Sequence, residues 1–575
     1  MALKQKDRFL HIETVLTNPD GADEDDNFAL IQVRGAEGIS FPYAFDLALI
    51  GPKARKHDPA DLIGTRARFG IRHLTDATER EDADLIFRHG LIESFAETGM
   101  MGDFRSYAAR LVPAFKMTAY ETRFRVFEER TLEQILREVL RPYAEIELNT
   151  NQLREEAAEV IPYCVQFGES TFNFVHRLLD RFGAFYRFEH ELNDRHEVLV
   201  VGGRGAVPPV QTALVNVASG DPAAGTVTGL RRSFVLATRT AHVGNFNELN
   251  PATPFRGRSD IAPAYDLMRE HPMHEAISFP VPATVAPQPR DYADRRMHQN
   301  EGGVFSVTGQ TRNTQFRAGR KFIVDKDTTV PEGSSDTGAS NKTFLLKTCS
   351  IFAFDHSALV STGQKLFDMI KGLLGLGSGD KNDVATAAAQ SLLDQIKKDV
   401  ESGKEIFNWL DKQPGAKNPS GLPEFVGNAL GLGGSGVAAA IPLLVSTAKG
   451  VKDLIEKFLA IPEGVSIAFE ALPFDPPHLR DVLPTPSASK PVAYGPHLAM
   501  VVGPDGINTA QRDIFTDALG RVRIRFPWDP GPDDPNDPLG QDAILTGRNT
   551  CFVRVSDGWA GERLGLQFIP RIGQE

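Results

Sequence analysis

Gly520-Arg521-Val522-Arg523-Ile524-Arg525-Phe526-Pro527-Trp528-Asp529 alternates arginine with apolar residues until a Pro-Trp pair interrupts it. Side chains point to opposite faces along a strand, so Val522, Ile524 and Phe526 share one face and the three arginines the other. The run therefore predicts one half-buried strand with a basic outer face. Asp517-Ala518-Leu519-Gly520 before it is a turn signal, and Pro527 behind it suits a strand end, where no ladder donor is needed. A second short strand, Cys551-Phe552-Val553-Arg554-Val555, leads into Ser556-Asp557-Gly558-Trp559-Ala560-Gly561. The chain then closes on Leu564-Gly565-Leu566-Gln567-Phe568-Ile569-Pro570-Arg571-Ile572-Gly573-Gln574-Glu575. Together these pieces read as one small barrel over 494–575.

Working back toward the N-terminus, Leu483-Pro484-Thr485-Pro486-Ser487-Ala488-Ser489-Lys490-Pro491 is an extended connector, because its prolines disfavour both helix and central strand. Val465–Phe474 reads as a strand, as does Thr343–Ile351. Ser306–Gly309 and Ala318–Val324 fit a strand pair. Phe28–Ser40 reads as strand, tight turn and return punctuated by Gly35 and Gly38, and Pro42–Leu49 continues the alternation. Two segments change period. Thr131–Leu140 places apolar residues at 132, 135, 136, 139 and 140, with Thr131 and Gln134 spaced as a capping box. Ser170–Asp180 is a second amphipathic helix with Ser170 as cap. Between Ser357 and Glu463 the pattern is helical and Gly/Ala-rich: Val384, Ala388, Leu392, Ile396 and Val400 form one stripe, and Leu444, Ala448, Val451, Leu454, Ile455 and Phe458 another.

At 575 residues the chain implies two to four domains. Hydrophobic content of 41% and charged content of 24% are ordinary for a globular protein. A net charge of −12 argues against a nucleic-acid binder. Cys164, Cys349 and Cys551 are far apart in sequence, so no disulfide framework or metal knuckle is implied, and reduced thiols are the simplest reading. Met1–Asp7 has no apolar core of a signal peptide, so export is expected by a signal-peptide-independent route.

The blocks DxLGRVRIRFPWD, FVRVSxxWAG and G-x-x-x-IPRIGQE, in this order, resemble the barrel of the VgrG family, the trimeric spike of bacterial type VI secretion, related to contractile phage tail hubs and spikes. Val33–Leu49, Tyr107–Ala114 and the stretch from Tyr163 through His190 resemble that family's hub. The resemblance implies a mainly β fold with α insertions: a phage-tail-hub-like double β-barrel region followed by an OB-type β-barrel, with a helical insertion. Its boundaries would be a hub over 1–356 with helices near 131–140 and 170–182, the insertion over 357–463, a last hub strand and Pro-rich linker over 464–493, and the barrel over 494–575. In the family a β-helical needle follows, so Glu575 is expected to be an interruption of a longer chain. The family motif residues carried over are Gly520, Arg521, Val522, Phe526, Pro527, Trp528, Trp559, Gly561, Pro570, Arg571 and Gly573. Phe172, Phe174 and Tyr186 are expected to pack in the hub.

The resemblance further implies a homotrimer that caps an inner tube, punctures target envelopes and carries effectors. Its partners would be the inner-tube protein, baseplate proteins, a tip protein, and effectors or their chaperone, with no nucleic acid and no stable membrane anchor. The protein would be cytoplasmic before firing and injected afterwards. No enzyme activity, cofactor or metal is expected: no G-x-S-x-G, H-E-x-x-H or P-loop pattern occurs. His271-Pro272-Met273-His274 lacks a third ligand, and Cys164 with His176 fits packing better than catalysis. The acidic loop Asp529–Pro538 lacks the ligand spacing of an EF-hand. Phe425–Ala448 carries no charge, but its glycines and Pro442 argue for packing or a loop; unknown residues within the insertion over 357–463 are a candidate effector or chaperone docking surface. Two alternatives stay open: a spike whose attached or inserted segment is an effector enzyme, and a hub of a phage-like contractile particle.

Overall fold

The architecture comes from a computed structural model, which describes residues 8–16, 27–53, 57–73, 85–101, 104–153, 158–190, 196–203, 206, 210–219, 225–247, 250, 252–262, 274–281, 288–330, 339, 342–355, 464–474, 484–488, 491–506, 513–528, 550–561 and 564–575. Six strands open the chain: β1 (Leu10–Thr14), β2 (Ala29–Gly38), β3 (Phe41–Pro52), β4 (Arg66–Arg72), β5 (Leu85–Met101) and β6 (Phe104–Val112). They run in the order β1-β4-β5-β6-β3-β2. In β2, Leu30 faces Leu49 and Gln32 faces Ala48. Ile31 is thus the extra residue of a bulge, which turns both Leu30 and Val33 into the main core. The turn after β2 falls at Ile39-Ser40, with Ser40 at φ 57°, just past Gly38, while Gly35 lies inside the strand. Gly35 serves close packing instead: a Cβ there would lie 2.1 Å from the Ala44 carbonyl oxygen.

After β6 come β7 (Arg123–Thr131), α1 (Leu132–Leu140), β8 (Glu147–Gln152), β9 (Val160–Glu169), α2 (Thr171–Phe182), β10 (Phe185–Glu189) and β11 (Val198–Gly202). Both expected helices form where capping and periodicity placed them. Thr131 accepts from the Gln134 amide while the Gln134 side chain accepts from the Thr131 amide, and Ser170 caps α2. Gly183, at φ 67°, ends α2 in the left-handed region.

The next group is β12 (Val210–Ala218), β13 (Thr226–Phe234), β14 (Thr240–Asn245), β15 (Phe255–Asp260), β16 (Glu275–Ser278), α3 (Gln288–Glu301), β17 (Phe305–Thr311), β18 (Lys321–Asp327), β19 (Lys342–Phe354) and β20 (Gly464–Pro473). The order β19-β18-β12-β13-β17-β20 returns to β19, because β20 pairs both β17 and β19. This is a closed six-stranded barrel. The expected pair formed by β17 and β18 is not one: β17 lies between β13 and β20, and β18 between β12 and β19. Alternation marks a strand but does not name its neighbour.

β19 joins this barrel to the six-stranded β1-β4-β5-β6-β3-β2 sheet. One edge pairs β18 over Lys342–Leu345 and then β2 over Thr348–Phe354, while the other pairs β20 throughout. At its end Phe354 faces Gly464, so residues 355–463 leave and re-enter the sheet at adjacent positions. The fully buried Asp355 closes this exit, accepting from the Leu10 amide at 3.1 Å and lying 3.5 Å from Arg8 Nε. Near the shared strand, the fully buried Arg88 donates to Glu37 and to the Phe316 carbonyl, both at 3.3 Å. Residues 356–463, including the helical stripes and the charge-free Phe425–Ala448, lie outside the described residues.

The C-terminal part contains β21 (Met500–Val501), β22 (Val522–Arg525), β23 (Cys551–Val553), β24 (Ala560–Gly561) and β25 (Leu564–Gly565). By contacts the chain forms two units. One comprises Met1–Ala114, Arg187–Val198 and Val207–Arg480, and the other Phe115–Tyr186, Leu199–Ala206 and Asp481–Glu575. The helices expected inside the hub region therefore group with the C-terminal strands. Among the described residues, no helix is long and apolar enough to cross a membrane.

Candidate functional site

The family motif builds a local structure within the second unit. β22 lies between β21 and β23, and Val522 and Ile524 pack with Val501 under Phe526 and Ile569. The turn before β22 forms as its sequence implies. Asp517 accepts from the Leu519 and Arg521 amides, both at 2.9 Å, and Gly520 takes φ 72°. Arg521 returns to Asp517 with Nε 2.7 Å from the carboxylate. At the chain end, the Gly573 amide donates to the Val501 carbonyl and the Val501 amide to the Gln574 carbonyl, each at 2.8 Å. Gly573, at φ 86°, permits that approach. The Arg571 amide donates to the Gln574 side chain at 2.7 Å, and Pro570 precedes it half-buried.

Pro527 ends the strand and Trp528 turns onto the β7–β9 pair. Its ring stacks on Phe526 at 4.7 Å and meets Phe167 edge-on at 5.1 Å and Phe124 at 5.8 Å. His497, past the connector, meets Phe167 from another side at 5.5 Å. A polar relay runs beside this aromatic seat. Arg523 Nε donates to Thr550 Oγ1 at 2.6 Å, and Thr550 donates to Glu128 at 3.1 Å. Burial raises the Glu128 carboxyl above its ordinary range, partly opposed by the Thr550 hydrogen bond and the Arg523 charge. The arginine face of β22 is thus partly spent inside the unit. Alternation showed that face, but nothing in sequence showed Thr550 or Glu128 as its partners.

Gly561 lies in β24, facing Leu564 of β25. Trp559, just before it, is 64% exposed. Phe174 and Tyr186 are fully buried, whereas Phe172 lies against Phe115 and His176. Cys164 and His176 have separate surroundings. Cys164 faces Phe127 across the β7–β9 pair, and burial pushes its thiol up. His176 Nε2 lies 3.0 Å from the Tyr186 hydroxyl, and burial lowers it to about 4, against a raising hydrogen bond with the Ser487 backbone. The Cys164 thiol is thus held protonated within the strand pair, while the His176 ring is engaged by tyrosine. Among the described residues no group of three or more His, Cys, Asp or Glu side chains is placed to hold a metal ion. His271 and the acidic loop 529–538 lie outside the described residues.

A closed barrel and a six-stranded sheet share β19 in the first unit, and the second unit seats a small sheet on an aromatic cluster. Residues 36–356 match the family model of the phage tail baseplate hub (GPD), more than half of the 575 residues, and the chain belongs to that family. The type VI secretion system spike protein VgrG1b of Pseudomonas aeruginosa is 23% identical over 588 aligned residues, covering 100% of this chain and 58% of the relative. VgrG4b of the same organism is 24% identical over 561 residues, covering 95% and 52%. The chain thus spans about half the length of these curated relatives. An Escherichia coli component of the type VI secretion system, described as similar to T4 bacteriophage tail proteins, aligns over 95% of this chain and 93% of its own, with 14% identity and a TM-score of 0.49.

Proposed function

We propose that this chain is the hub-and-barrel portion of a type VI secretion spike. It works as a homotrimer that caps the inner tube, contacts the baseplate, carries a tip protein and effectors, and leaves the cell with the spike. The observation that carries this reading is the alignment of the whole chain with a spike protein, VgrG1b, together with the hub-family match over residues 36–356. The work is mechanical: energy comes from sheath contraction, so the chain's own residues hold barrels together and turn over no substrate. On this reading the segment 357–463 is the docking region for effector or chaperone, and the motif residues Gly520 to Trp528 and Trp559 to Gly573 hold the barrel in shape.

The test is export. In the source cell, deleting the gene should abolish appearance of the inner-tube protein in the medium, and the full-length gene should restore it. Normal export from the deletion strain, with no second spike gene expressed, would end the proposal. The purified 575-residue chain should also have the solution mass of a trimer.

A further inference from the structure

Two exposed apolar stripes in the first unit lack any covering partner among the described residues. β13 pairs β12 only at Thr226–Thr228, and among the described residues no strand pairs that outer edge from Arg231 onward. There Phe234 and Leu236 are 59% and 64% exposed, following the exposed Arg232 at the same two-residue spacing. Phe234 is held upright by Phe305 opposite it, the rings stacked at 4.5 Å. The second stripe is on the small sheet β15-β14-β16. Helix α3 covers one face, with Tyr292 and Ala293 against Val243, and Gly257 leaves no room for a side chain below Pro289. The opposite face carries Glu275, Ile277 and Phe279, also two residues apart. Ile277 and Phe279 are 77% and 67% exposed, and the Phe279 ring lies over Gly244.

The stripes match in chemistry and order: a cation then two apolar groups, against an anion then two apolar groups. They also adjoin, since the Arg239 amide, three residues past Leu236, donates to the His274 carbonyl, next to Glu275, at 2.8 Å. Adjoining complementary surfaces on one chain are what copies need to meet around a symmetry axis, each copy offering one stripe to each neighbour. Open edges with large apolar side chains are an association hazard unless covered.

We propose that the Arg232-Phe234-Leu236 stripe of one copy packs on the Glu275-Ile277-Phe279 stripe of the next, forming the interface of the ring. This rests on the trimeric reading above and names its surface. Within one copy Glu275 is 3.5 Å from His242 Nε2 and acts on Arg258, and Arg232 acts on Asp327, so each charge would be shared within and between copies.

The test is sedimentation of the full chain over a dilution series beside Arg232→Glu, Glu275→Arg, the double reversal and Phe234→Asp. All three substituted positions are exposed, and circular dichroism checks that each of the four variants folds. The expected result is a trimer whose dissociation is at least about tenfold easier in each single charge reversal, since like charges then face each other. The double reversal should regain wild-type mass, and Phe234→Asp should be monomeric. A wild-type trimer unaffected by any of these changes overturns this surface and leaves the trimeric reading standing. Single reversals that weaken the trimer without rescue overturn the pairing of these stripes. A wild-type chain that is monomeric at every concentration overturns both.

Discussion

His176 shows how one buried side chain sets a pH dependence. Its folded form is held down to about 4 by burial, whereas an unfolded histidine takes up a proton near 6.5. A depressed histidine costs stability as pH falls below the unfolded value, because the unfolded chain binds the proton first. Between pH 7 and 5 the loss should be about 2 kcal/mol. Denaturant titrations at both pH values should show that difference shrink by a similar amount in His176→Gln; an unchanged difference would refute the assignment. Glu13 acts in the same direction further into acid. Despite burial, which alone would raise it, His11 and Arg68 bring its carboxyl to about 2, and the stability it contributes above about pH 4.5 is lost as pH falls through 2. Trp528→Ala should cost about 2 kcal/mol, less than the ~3–5 kcal/mol of a fully buried aromatic, because the ring is only half-buried. Gly35→Ala should cost at least about 3 kcal/mol, since its methyl meets backbone rather than a movable side chain. Thermal melts of the two variants check both figures.

At the scale of elements, much of the fold was legible where the signal is local. Caps at Thr131 and Ser170, the Asp517–Gly520 turn and the alternation in β22 all rest on neighbours within a few residues, and all appear as read. What sequence did not show was pairing. The separation of β17 from β18, and the division of one β19 edge between β18 and β2, depend on residues tens to hundreds of positions apart. Likewise the motif at Phe526-Pro527-Trp528 was visible, but its seat on Phe124 and Phe167 was not. The pairing of Phe354 with Gly464 leads to a direct test. Because the ends of the segment 357–463 meet at facing strand positions, a short Gly/Ser turn can replace it without straining β19 or β20. The shortened chain should remain folded with a melting temperature within about 3 °C of the parent. Its collapse would mean that the segment belongs to the core.

At the scale of the whole molecule, the two units have separate cores, so unfolding should not be a single two-state event. Calorimetry should resolve at least two transitions, with Trp528→Ala lowering one and Gly35→Ala the other. A single transition shifted equally by both would contradict that independence. The spike reading also gives β19 a meaning beyond stability. A part thrust forward by a contracting sheath experiences load, and joints between domains are where load concentrates. Here no linker joins the closed barrel to the six-stranded sheet at β19: one unbroken strand runs through both, hydrogen-bonded along each edge. Pulled along its length, such a strand yields only when many bonds slide together, whereas a hinge would give way a few bonds at a time. Thrust delivered to one of them therefore reaches the other without a flexing step between them.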